Sequence, residues 1–401
     1  MKIGIIREGK VPPDFRVPLT PKQCKHIKET YSSVELVVQT SPIRAFIDDE
    51  YRSEGIEVVE DLHDCDVIFG VKEVPMEMLI PNKTFVFFSH TIKKQPYNKK
   101  LLQTILSQNI RLIDYEVVKD KSGKRLIGFG RYAGIVGCYN SFIAYGVKSG
   151  HYTLKEAHLC EDRREVEKEL KKVVLPNDFK IVLTGFGRVG HGAREILKLL
   201  PITEVSPEKY LRQKFDYPVF THLEVNDYYK RKDHGEFSKK EFYTSPNLYS
   251  SDFEKYTLES DMYVPCHYWS SDADFILKRE SLMSPYNRIK VVGDISCDID
   301  GPIACTIRPS KIGNALYGYS PISHSEVDLH DENAIAVMAV DNLPCELPKD
   351  ASEDFGNELI KHVLPALLGE DPDHIIDRAS ETNNNGELTE PFHYLLDYIK
   401  E

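Results

Sequence analysis

Three ionisable side chains, Lys72, His90 and Glu116, each follow an apolar run in the N-terminal third of the chain. A partly desolvated lysine exchanges protons near neutral pH because burial lowers its pKa, and histidine does so without any perturbation. The carboxyl ends of parallel strands meet at one rim of an open α/β sheet, so we expect the three groups to converge there. A lone histidine at such a position is more often structural, but three equivalent positions favour an acid–base site. The preceding runs are DVIFGV (66–71), TFVFFS (84–89) and IRLIDY (110–115).

Arginines could hold an acidic substrate at the same rim. Arg16, in PPDFRVPLTP, follows the first predicted strand, and its guanidinium suits a bidentate pair with a carboxylate. An ordinary surface arginine is the alternative. Arg125 and Arg131, in GKRLIGFGRYAG, are further candidates for substrate carboxylates.

A glycine-rich turn lies between an apolar strand and a helix in VLTGFGRVGHGAREIL (182–197). Gly185, Gly187 and Gly190 have the GxGxxG spacing, which allows a tight turn and a close approach of the backbone to a pyrophosphate at the helix N-terminus. An ordinary glycine-rich turn is the alternative, but the strand–loop–helix setting favours a dinucleotide.

The residue that ends the second strand bears on the choice of cofactor, because an acidic residue there binds the ribose hydroxyls of NAD. We expect this strand at ITEVS (202–206), which ends in Ser206 with Lys209 and Arg212 nearby, so NADP(H) is favoured over NAD(H). Alternatively, Ser206 is the N-cap of a helix. The predicted cofactor contacts are Gly185, Gly187, Arg188, Val189, Gly190, Ser206, Asp294 and Asp341.

Apolar strands alternate with amphipathic helices in two separate stretches, which is typical of α/β proteins with parallel sheets covered on both faces. The sequence therefore predicts two Rossmann-like, doubly wound domains. The segment 207–258 is rich in Tyr, Lys, Asp and Ser with little periodicity, and we interpret it as an insertion. The expected strands lie at 2–6, 34–39, 66–71, 84–89, 110–115, 179–185, 261–266 and 289–296, and the expected helices at 98–108 and 193–200.

Composition excludes several classes of protein. The formal net charge of −12 argues against nucleic acid as a partner, and no apolar stretch reaches the length of a membrane span. The chain starts without the pattern of a signal peptide, so a cytoplasmic location is expected. The eight cysteines contain no CxxC pair, and we expect reduced, mostly buried thiols and no metal site.

Several segments together are similar to a known family. They are FFSHTIKKQ, LLQTILSQNIRLIDYE, TGFGRVGHGA, VVGDISCDIDG and VDNLPCELPKDASEDFG. The chain resembles the lysine-ketoglutarate reductase domain of bifunctional aminoadipate semialdehyde synthase and, less closely, fungal lysine-forming saccharopine dehydrogenase. Alanine dehydrogenase and the transhydrogenase α subunit are wider relatives. The resemblance covers nearly the whole chain.

The resemblance implies an NAD(P)H-dependent oxidoreductase that condenses L-lysine with 2-oxoglutarate to saccharopine, or the reverse. The acid/base pair of the family falls on Lys72 and His90, the acidic residue that tunes it falls on Glu116, and a substrate arginine falls on Arg16. It further implies a discontinuous catalytic domain (1–134 plus 343–401), a dinucleotide-binding domain (135–342), and an active site in the cleft between them.

Two other functions stay open from the sequence. One is an alanine-dehydrogenase-like deaminase of a small amino acid that uses the same lysine, histidine and arginine. The other is a nucleotide-binding protein without catalytic activity. The family's fungal members carry aspartate where this chain has Ser206, which leaves the choice between NAD and NADP open. The direction of the reaction, the exact amine and the oligomeric state, a homo-oligomer included, also stay open.

Overall fold

A computed structural model describes residues 1–400. The chain divides into two compact units: the first joins Met1–Phe129 to the segment that starts at Pro348, and the second is Gly130–Leu347. The strands are β1 Lys2–Ile5, β2 Glu35–Gln39, β3 Glu57–Val59, β4 Val67–Phe69, β5 Thr84–Phe87, β6 Arg111–Asp114, β7 Lys180–Thr184, β8 Thr203–Glu204, β9 Val219–Leu223, β10 Tyr229–Arg231, β11 Tyr249–Ser251, β12 Met262–Pro265, β13 Val291–Gly293, β14 Leu316–Ser320, β15 Ser325–Val327 and β16 Ile335–Met338.

The α-helices alternate with these strands in both units. They are α1 Pro21–Thr30, α2 Asp48–Ser53, α3 Lys99–Ser107, α4 Gly130–Ser149, α5 Arg163–Glu169, α6 Arg188–Leu197, α7 Pro207–Arg212, α8 Val225–Tyr228, α9 Lys239–Thr244, α10 Glu254–Thr257, α11 Arg279–Met283, α12 Pro348–Glu358, α13 Leu364–Leu368, α14 Ile375–Ala379 and α15 Leu396–Lys400.

The sheet of the first unit is parallel throughout the described residues, in the order β3-β2-β1-β4-β5-β6. Strands β4 and β5 are almost wholly buried, as expected for apolar runs covered on both faces. The order reverses direction between β1 and β4, and ligands of open α/β sheets bind at such a switch point, outside the carboxyl ends of the strands.

Two helices of the first unit have features that their sequences predict. Helix α1 begins at Pro21 behind a capping box, in which the Thr20 side chain accepts from the backbone N–H of Gln23 and the Gln23 side chain accepts from that of Thr20. Helix α3 buries Leu101, Leu102 and Ile105 on one side, as its apolar spacing predicts.

The segment from Pro348 completes the first unit. Helices α12 and α13 are joined by a π-helical turn, Leu359–Val363, which precedes Pro365, a residue that cannot donate an i→i−4 hydrogen bond. Phe355, Leu359 and Val363 are fully buried in the same core as the β1–β6 strands. This part of the sequence therefore supplies one layer of the first unit.

The sheet of the second unit is mixed, in the order β15-β14-β16-β13-β12-β7-β9-β8. Strands β8, β9, β7, β12, β13 and β16 are parallel, whereas β14 is antiparallel to both β16 and β15. The prediction of a purely parallel second sheet is corrected at this edge. LYGYS (316–320) carries Gly and Ser among its tyrosines and lacks the continuous apolar run of a parallel strand.

The interpretation of 207–258 as an insertion is also corrected, because this segment contains a buried strand that pairs within the sheet, between β7 and the edge strand β8. All five residues of β9 are buried, and the strand pairs in parallel with β7. Thr221 and His222 interrupt its apolar pattern, which hid the strand in the sequence. The rest of the segment packs aromatic side chains, among them Tyr229, Phe242 and Tyr249, into the core of the second unit.

In residues 1–400, no helix combines the length and apolar character that a membrane crossing requires. All eight cysteines are free thiols, and seven are buried while Cys297 is half-buried. Across the same residues, no three His, Cys, Asp or Glu side chains are grouped to hold a metal ion.

Candidate active site and nucleotide loop

Lys72 follows β4 at the switch point of the first sheet. The Glu8 carboxylate, which follows β1, accepts the backbone N–H of Val71 at 2.7 Å and that of Lys72 at 2.9 Å. Burial and the nearby Asp14 raise the pKa of Glu8 to about 8, against these two hydrogen bonds, which favour its ionised form. The two strand ends beside the switch point are therefore tied together through Glu8.

The Lys72 ammonium makes no hydrogen bond or ion pair with another residue in the described part of the chain. The side chain is half-buried. Burial lowers its pKa, the charges of Arg16 and Lys10 lower it further, and Asp14 and Glu73 oppose the shift. An unpaired, partly desolvated lysine of this kind can give up a proton more readily than an exposed one.

His90 follows β5 in the left-handed conformation, at φ 55°. Its Nδ1 lies 2.6 Å from Oε1 of Glu73, and Nζ of Lys10 donates to Oε2 of the same carboxylate at 2.6 Å. Burial opposes ionisation of Glu73, but the bonds from His90 and Lys10 hold its pKa down at about 2. An ionised carboxylate only accepts, so Nδ1 of His90 carries a proton, and Nε2 is the nitrogen that can take up another.

Glu116 lies in a 3-10 turn directly after β6. Its Oε2 is 4.0 Å from Nε2 of His90 and has no hydrogen-bond partner within residues 1–400, although it is buried. Its Oε1 is 3.3 Å from Nζ of Lys93 and 3.9 Å from Nη1 of Arg125. His90 and Glu116 therefore lie close together after neighbouring strands, with Arg125 beside them, and their roles stay predictions.

Arg16 is 2% exposed and forms a two-pronged ion pair with Asp14, through Nε at 2.9 Å and Nη2 at 2.5 Å. The guanidinium also lies 4.1 Å above the ring centre of Phe129. Burial opposes ionisation of Asp14, but the charge of Arg16 prevails and lowers its pKa to about 2. Arg16 lies close enough to influence Lys72 electrostatically, and its role as a carboxylate anchor stays a prediction.

A buried polar cluster holds the turn that carries His90. Ser89 donates through its backbone N–H to Asp114 at 3.0 Å, and Thr91 donates through its hydroxyl to Glu381 at 2.5 Å. Burial raises the pKa of Glu381 well above its usual range, and the Asp114 charge adds to this, so Glu381 carries a proton between the two carboxyl groups. The residues on both sides of His90 are therefore fixed.

The sequence did not single out Glu8, Glu73 and Asp14, each of which forms a hydrogen bond with one of the predicted residues. A weak signal was available for Glu73, since it directly follows Lys72 in GVKEVP and so lies at the same strand end. Glu8 and Asp14 follow β1 in the same way that Arg16 does. Their roles depend on which backbone and side-chain atoms they reach, and spacing alone does not give that.

The glycine loop of the second unit has the backbone geometry that its spacing predicts. Gly185 has φ +98°, and a Cβ there would lie 2.4 Å from the carbonyl oxygen of Cys266. A Cβ at Gly190 would lie 1.8 Å from the carbonyl oxygen of Gly185, which shows how closely α6 packs on the turn. A Cβ at Gly187 would meet no atom within 4 Å, so this residue borders open space at the start of α6.

A cavity of about 530 Å³ opens beside this loop and is lined by Gly185, Gly187 and Val189 together with Glu224 and His267. Glu224 directly follows β9, the strand that pairs with β7. Dinucleotide binding requires a first glycine in a tight turn, a second glycine that leaves open space and a third glycine that packs closely on the turn. It also requires an acidic residue after the neighbouring strand. The residues present fit that cofactor.

Ser206 does not have the predicted position. Strand β8 is an edge strand of two residues that pairs with β9 and not with β7. The Ser206 hydroxyl accepts from the backbone N–H of Lys209 at 3.3 Å and caps α7. The residue beside the glycine loop that corresponds to the expected acid is Glu224, because the chain forms the outer strand β8 before it forms β9.

The remaining predicted residues have varied environments. Arg188 begins α6, and Val189 lines the cavity. Asp294 is fully buried and accepts hydrogen bonds from its own loop, including the Thr306 hydroxyl at 2.6 Å, and Asp341 is exposed after β16. Arg131 belongs to the second unit, where its Nε and Nη2 donate to Glu195 at 2.7 and 2.9 Å. The cofactor roles of both aspartates and the substrate role of Arg131 stay predictions.

The chain is similar to known proteins over nearly its whole length. Residues 4–136 match the family model "Alanine dehydrogenase/PNT, N-terminal domain". The chain is 32% identical to alpha-aminoadipic semialdehyde synthase of Arabidopsis thaliana over 98% of its residues and 41% of that protein. It is 30% identical to the mitochondrial alpha-aminoadipic semialdehyde synthase of Rattus norvegicus, over 95% of the chain and 46% of the relative. It therefore spans less than half the length of these relatives.

A shorter relative is matched almost from end to end. The chain is 25% identical to saccharopine dehydrogenase [NAD(+), L-lysine-forming] of Candida glabrata, over 92% of the chain and 95% of that protein. Among solved structures, an L-alanine dehydrogenase aligns over 100% of both chains at 16% identity with a TM-score of 0.64. A transhydrogenase from Sinorhizobium meliloti aligns over 97% of this chain and 99% of its own at 14% identity, with a TM-score of 0.58.

The structural similarities establish the fold, and the sequence similarities are those that the quoted segments predicted. Over nearly its whole length the chain is similar to alpha-aminoadipic semialdehyde synthase and to L-lysine-forming saccharopine dehydrogenase, and residues 4–136 match the alanine dehydrogenase/PNT N-terminal domain.

Proposed function

We propose that this chain is a nicotinamide-nucleotide-dependent oxidoreductase that condenses L-lysine with 2-oxoglutarate to saccharopine, or runs the reverse reaction. The observation that carries the proposal is the unpaired Lys72 ammonium at the switch point, beside the bonded pair of Glu73 and His90. The similarity to known proteins supports the choice of substrates. The Candida glabrata relative is named for saccharopine and L-lysine, and the rat and Arabidopsis relatives are named for alpha-aminoadipic semialdehyde.

The proposed chemistry needs groups that move protons. An amine that adds to a keto carbon forms a carbinolamine, and loss of water from it requires a donor for the departing oxygen and an acceptor for the amine proton. Nε2 of His90 can accept or return a proton while Glu73 holds Nδ1–H in place. Lys72 can serve as the second group, since its lowered pKa lets it give up a proton more readily than an exposed lysine does.

The bound nicotinamide supplies or removes the hydride at the carbon of the C–N bond. The protein contributes the positions of the reacting groups, which are fixed before substrate arrives. Ser89, Thr91 and the carboxyl groups that bind them hold the His90 turn, and Glu8 holds the backbone of Lys72. Saccharopine carries three carboxylates, and the positive charges of Lys93 and Arg125 next to Glu116 are suited to attract them.

We propose NAD(H) as the preferred nucleotide, in place of the NADP(H) that Ser206 suggested. Glu224 lines the cavity next to the glycine loop, where a carboxylate accepts from the ribose hydroxyls of NAD and repels a 2′-phosphate. Lys239 lies 3.2 Å from this carboxylate and moderates its charge. The name of the Candida glabrata relative, which specifies NAD(+), agrees with this choice.

The test of the function is an assay of NADH and NADPH oxidation with two pairs of substrates. We expect turnover with lysine plus 2-oxoglutarate and little with pyruvate plus ammonia, which an alanine-dehydrogenase-like enzyme would use. Lys72→Met and His90→Gln should each lower kcat about a hundredfold or more, with NADH affinity unchanged. Turnover only with pyruvate and ammonia would favour the deaminase, and NADH binding without any turnover would favour a non-catalytic protein.

The location and assembly of the protein stay predictions. The rat relative is named as mitochondrial, so the cytoplasmic location expected from the sequence has no support from this comparison. The partners that we propose are small molecules: lysine, 2-oxoglutarate, saccharopine and the nucleotide.

A further inference from the structure

His267 lies at the wall of the cavity beside the glycine loop. It is the second residue after β12, the strand next to β7 on the side away from β9. The side chain is 7% exposed and lines the cavity, and its backbone nitrogen would lie 2.8 Å from a Cβ on Gly185. The segment that carries His267 is therefore packed directly against the predicted nucleotide turn.

A short chain of hydrogen bonds determines which ring nitrogen of His267 carries its proton. The Thr184 hydroxyl lies 3.1 Å from the Tyr263 hydroxyl and 2.9 Å from Nδ1 of His267. Burial raises the pKa of Tyr263 well above its usual range, so the phenol keeps its proton. Within residues 1–400 its hydroxyl has no other partner than Thr184, and Tyr263 is fully buried and is not among the residues that line the cavity, so only donation to Thr184 pairs the phenol proton.

The direction of this chain fixes the tautomer. Thr184 has one hydroxyl proton, and once it accepts from Tyr263 it donates that proton to Nδ1 of His267. Burial lowers the pKa of His267 to about 3, so the ring is neutral and holds a single proton. With Nδ1 as the acceptor, that proton is on Nε2.

Nε2 of His267 is buried and has no hydrogen-bond partner in the described part of the chain. A buried N–H without an acceptor costs about 1–3 kcal/mol, and native proteins rarely retain one unless a ligand or water meets it. We propose that Nε2–H of His267 donates a hydrogen bond to an oxygen of the ribose–pyrophosphate backbone of the bound dinucleotide, which makes His267 a cofactor-binding residue. This inference rests on the nucleotide binding proposed above, and it does not depend on the identity of the amino acid substrate.

Two variants distinguish the effect of losing the hydrogen-bond donor from the effect of losing the aromatic ring. His267→Phe keeps an aromatic ring and removes the donor, whereas His267→Gln keeps an N–H at a similar reach. We expect the Kd for NADH, measured by quenching of protein fluorescence, to rise about tenfold in His267→Phe and to stay within about threefold of wild type in His267→Gln. ADP-ribose should show the same pattern and adenosine should not, because only the former carries the pyrophosphate.

The tautomer can be read in the wild-type protein, which keeps the inference testable if a variant fails to fold. Nitrogen-15 NMR of histidine-labelled protein should show Nε2 of His267 protonated near neutral pH, and the resonance should shift when NADH is added. A proton on Nδ1, or equal NADH affinity in wild type and His267→Phe, would overturn the assignment.

Failure of the proposed function has a different signature. Wild-type protein that binds NADH but turns over no amino acid leaves the His267 assignment intact and removes the saccharopine chemistry. Wild-type protein that binds neither NADH nor NADPH removes both.

Discussion

Glu73 bridges His90 and Lys10, with one carboxylate oxygen 2.6 Å from Nδ1 of the imidazole and the other 2.6 Å from the ammonium. The carboxylate thereby fixes the neutral tautomer of His90, leaving Nε2 directed toward Glu116 at 4.0 Å. That separation is too long for a hydrogen bond. The proton-accepting nitrogen of His90 is therefore kept available by a residue that sequence spacing did not single out.

Lys10 should tune the proton affinity of Lys72. Its positive charge lowers the pKa of Lys72, and it also neutralises Glu73, whose negative charge raises that pKa. Lys10→Met removes the positive charge that lowers the pKa of Lys72 and leaves the negative charge of Glu73 un-neutralised. The Lys72 ammonium should therefore lose its proton at a higher pH. We expect the rise of kcat/KM with pH to move toward alkaline pH, measured as a pH–rate profile with saturating nucleotide.

Lys10→Arg is the matched control for this experiment, because it keeps a positive charge next to Glu73. Its profile should coincide with that of wild type. A shift of the Lys10→Met profile toward acidic pH would contradict the electrostatic link between Lys10 and Lys72.

Asp14→Asn should destabilise the first unit, because it removes the negative charge of the buried ion pair with Arg16. Loss of one partner of a buried ion pair costs about 3 kcal/mol. The pKa of Asp14 is lowered from 3.8 to about 2 in the folded protein, so its contribution is present above pH 3.8 and disappears as pH falls through about 2. Urea unfolding across this window should show the difference between wild type and variant shrinking toward acid pH.

Asp64→Asn tests whether loss of any aspartate has this effect. Asp64 is exposed in the same unit, and its replacement should change the free energy of unfolding by less than about 0.5 kcal/mol. A difference between wild type and Asp14→Asn that stays constant down to the lowest pH would show that the ion pair is not its source.

Glu224→Gln should change the choice of nucleotide. The substitution removes the charge that repels a 2′-phosphate and releases Lys239, which lies 3.2 Å from it, to bind one. We expect the ratio of NADPH to NADH affinity to rise about tenfold or more. Glu208→Gln, on the exposed helix that Ser206 caps, is the control and should leave the ratio unchanged; a larger effect there would restore the Ser206 interpretation.

Gly185→Ala should abolish nucleotide binding or prevent folding of the second unit. A Cβ would impose strain at φ +98° and would meet the carbonyl oxygen of Cys266 at 2.4 Å. Gly150→Ala is a matched control, since Gly150 has φ +71° but no atom within 4 Å of a Cβ. The control should lose only about 1 kcal/mol of stability and keep its NADH affinity. Equal behaviour of the two variants would show that close packing at Gly185 is unimportant.

The apolar periodicity of the strands was enough to predict which residues follow neighbouring strands of the first sheet. Lys72, His90 and Glu116 follow apolar runs that could only be buried parallel strands, so their common rim was predictable. The pairing of Glu73 with His90 was not, because it depends on the left-handed turn at His90 and on side-chain rotamers. Strand β9 was missed since Thr221 and His222 resemble surface residues; in the structure His222 Nε2 lies 2.7 Å from the carbonyl oxygen of Gly185. Because β9 is hidden in the sequence, the sequence points to Ser206 as the residue that determines the choice of nucleotide.

The return of the chain at Pro348 has a consequence for biosynthesis. A ribosome makes residues 130–347 before the helices that carry Phe355 and Leu359 and before Glu381, which shares a proton with Asp114. The glycine-loop unit can thus begin to fold during translation before the segment that anchors the turn of His90 has been made. Maturation of the acid–base site therefore comes after synthesis of the glycine-loop unit.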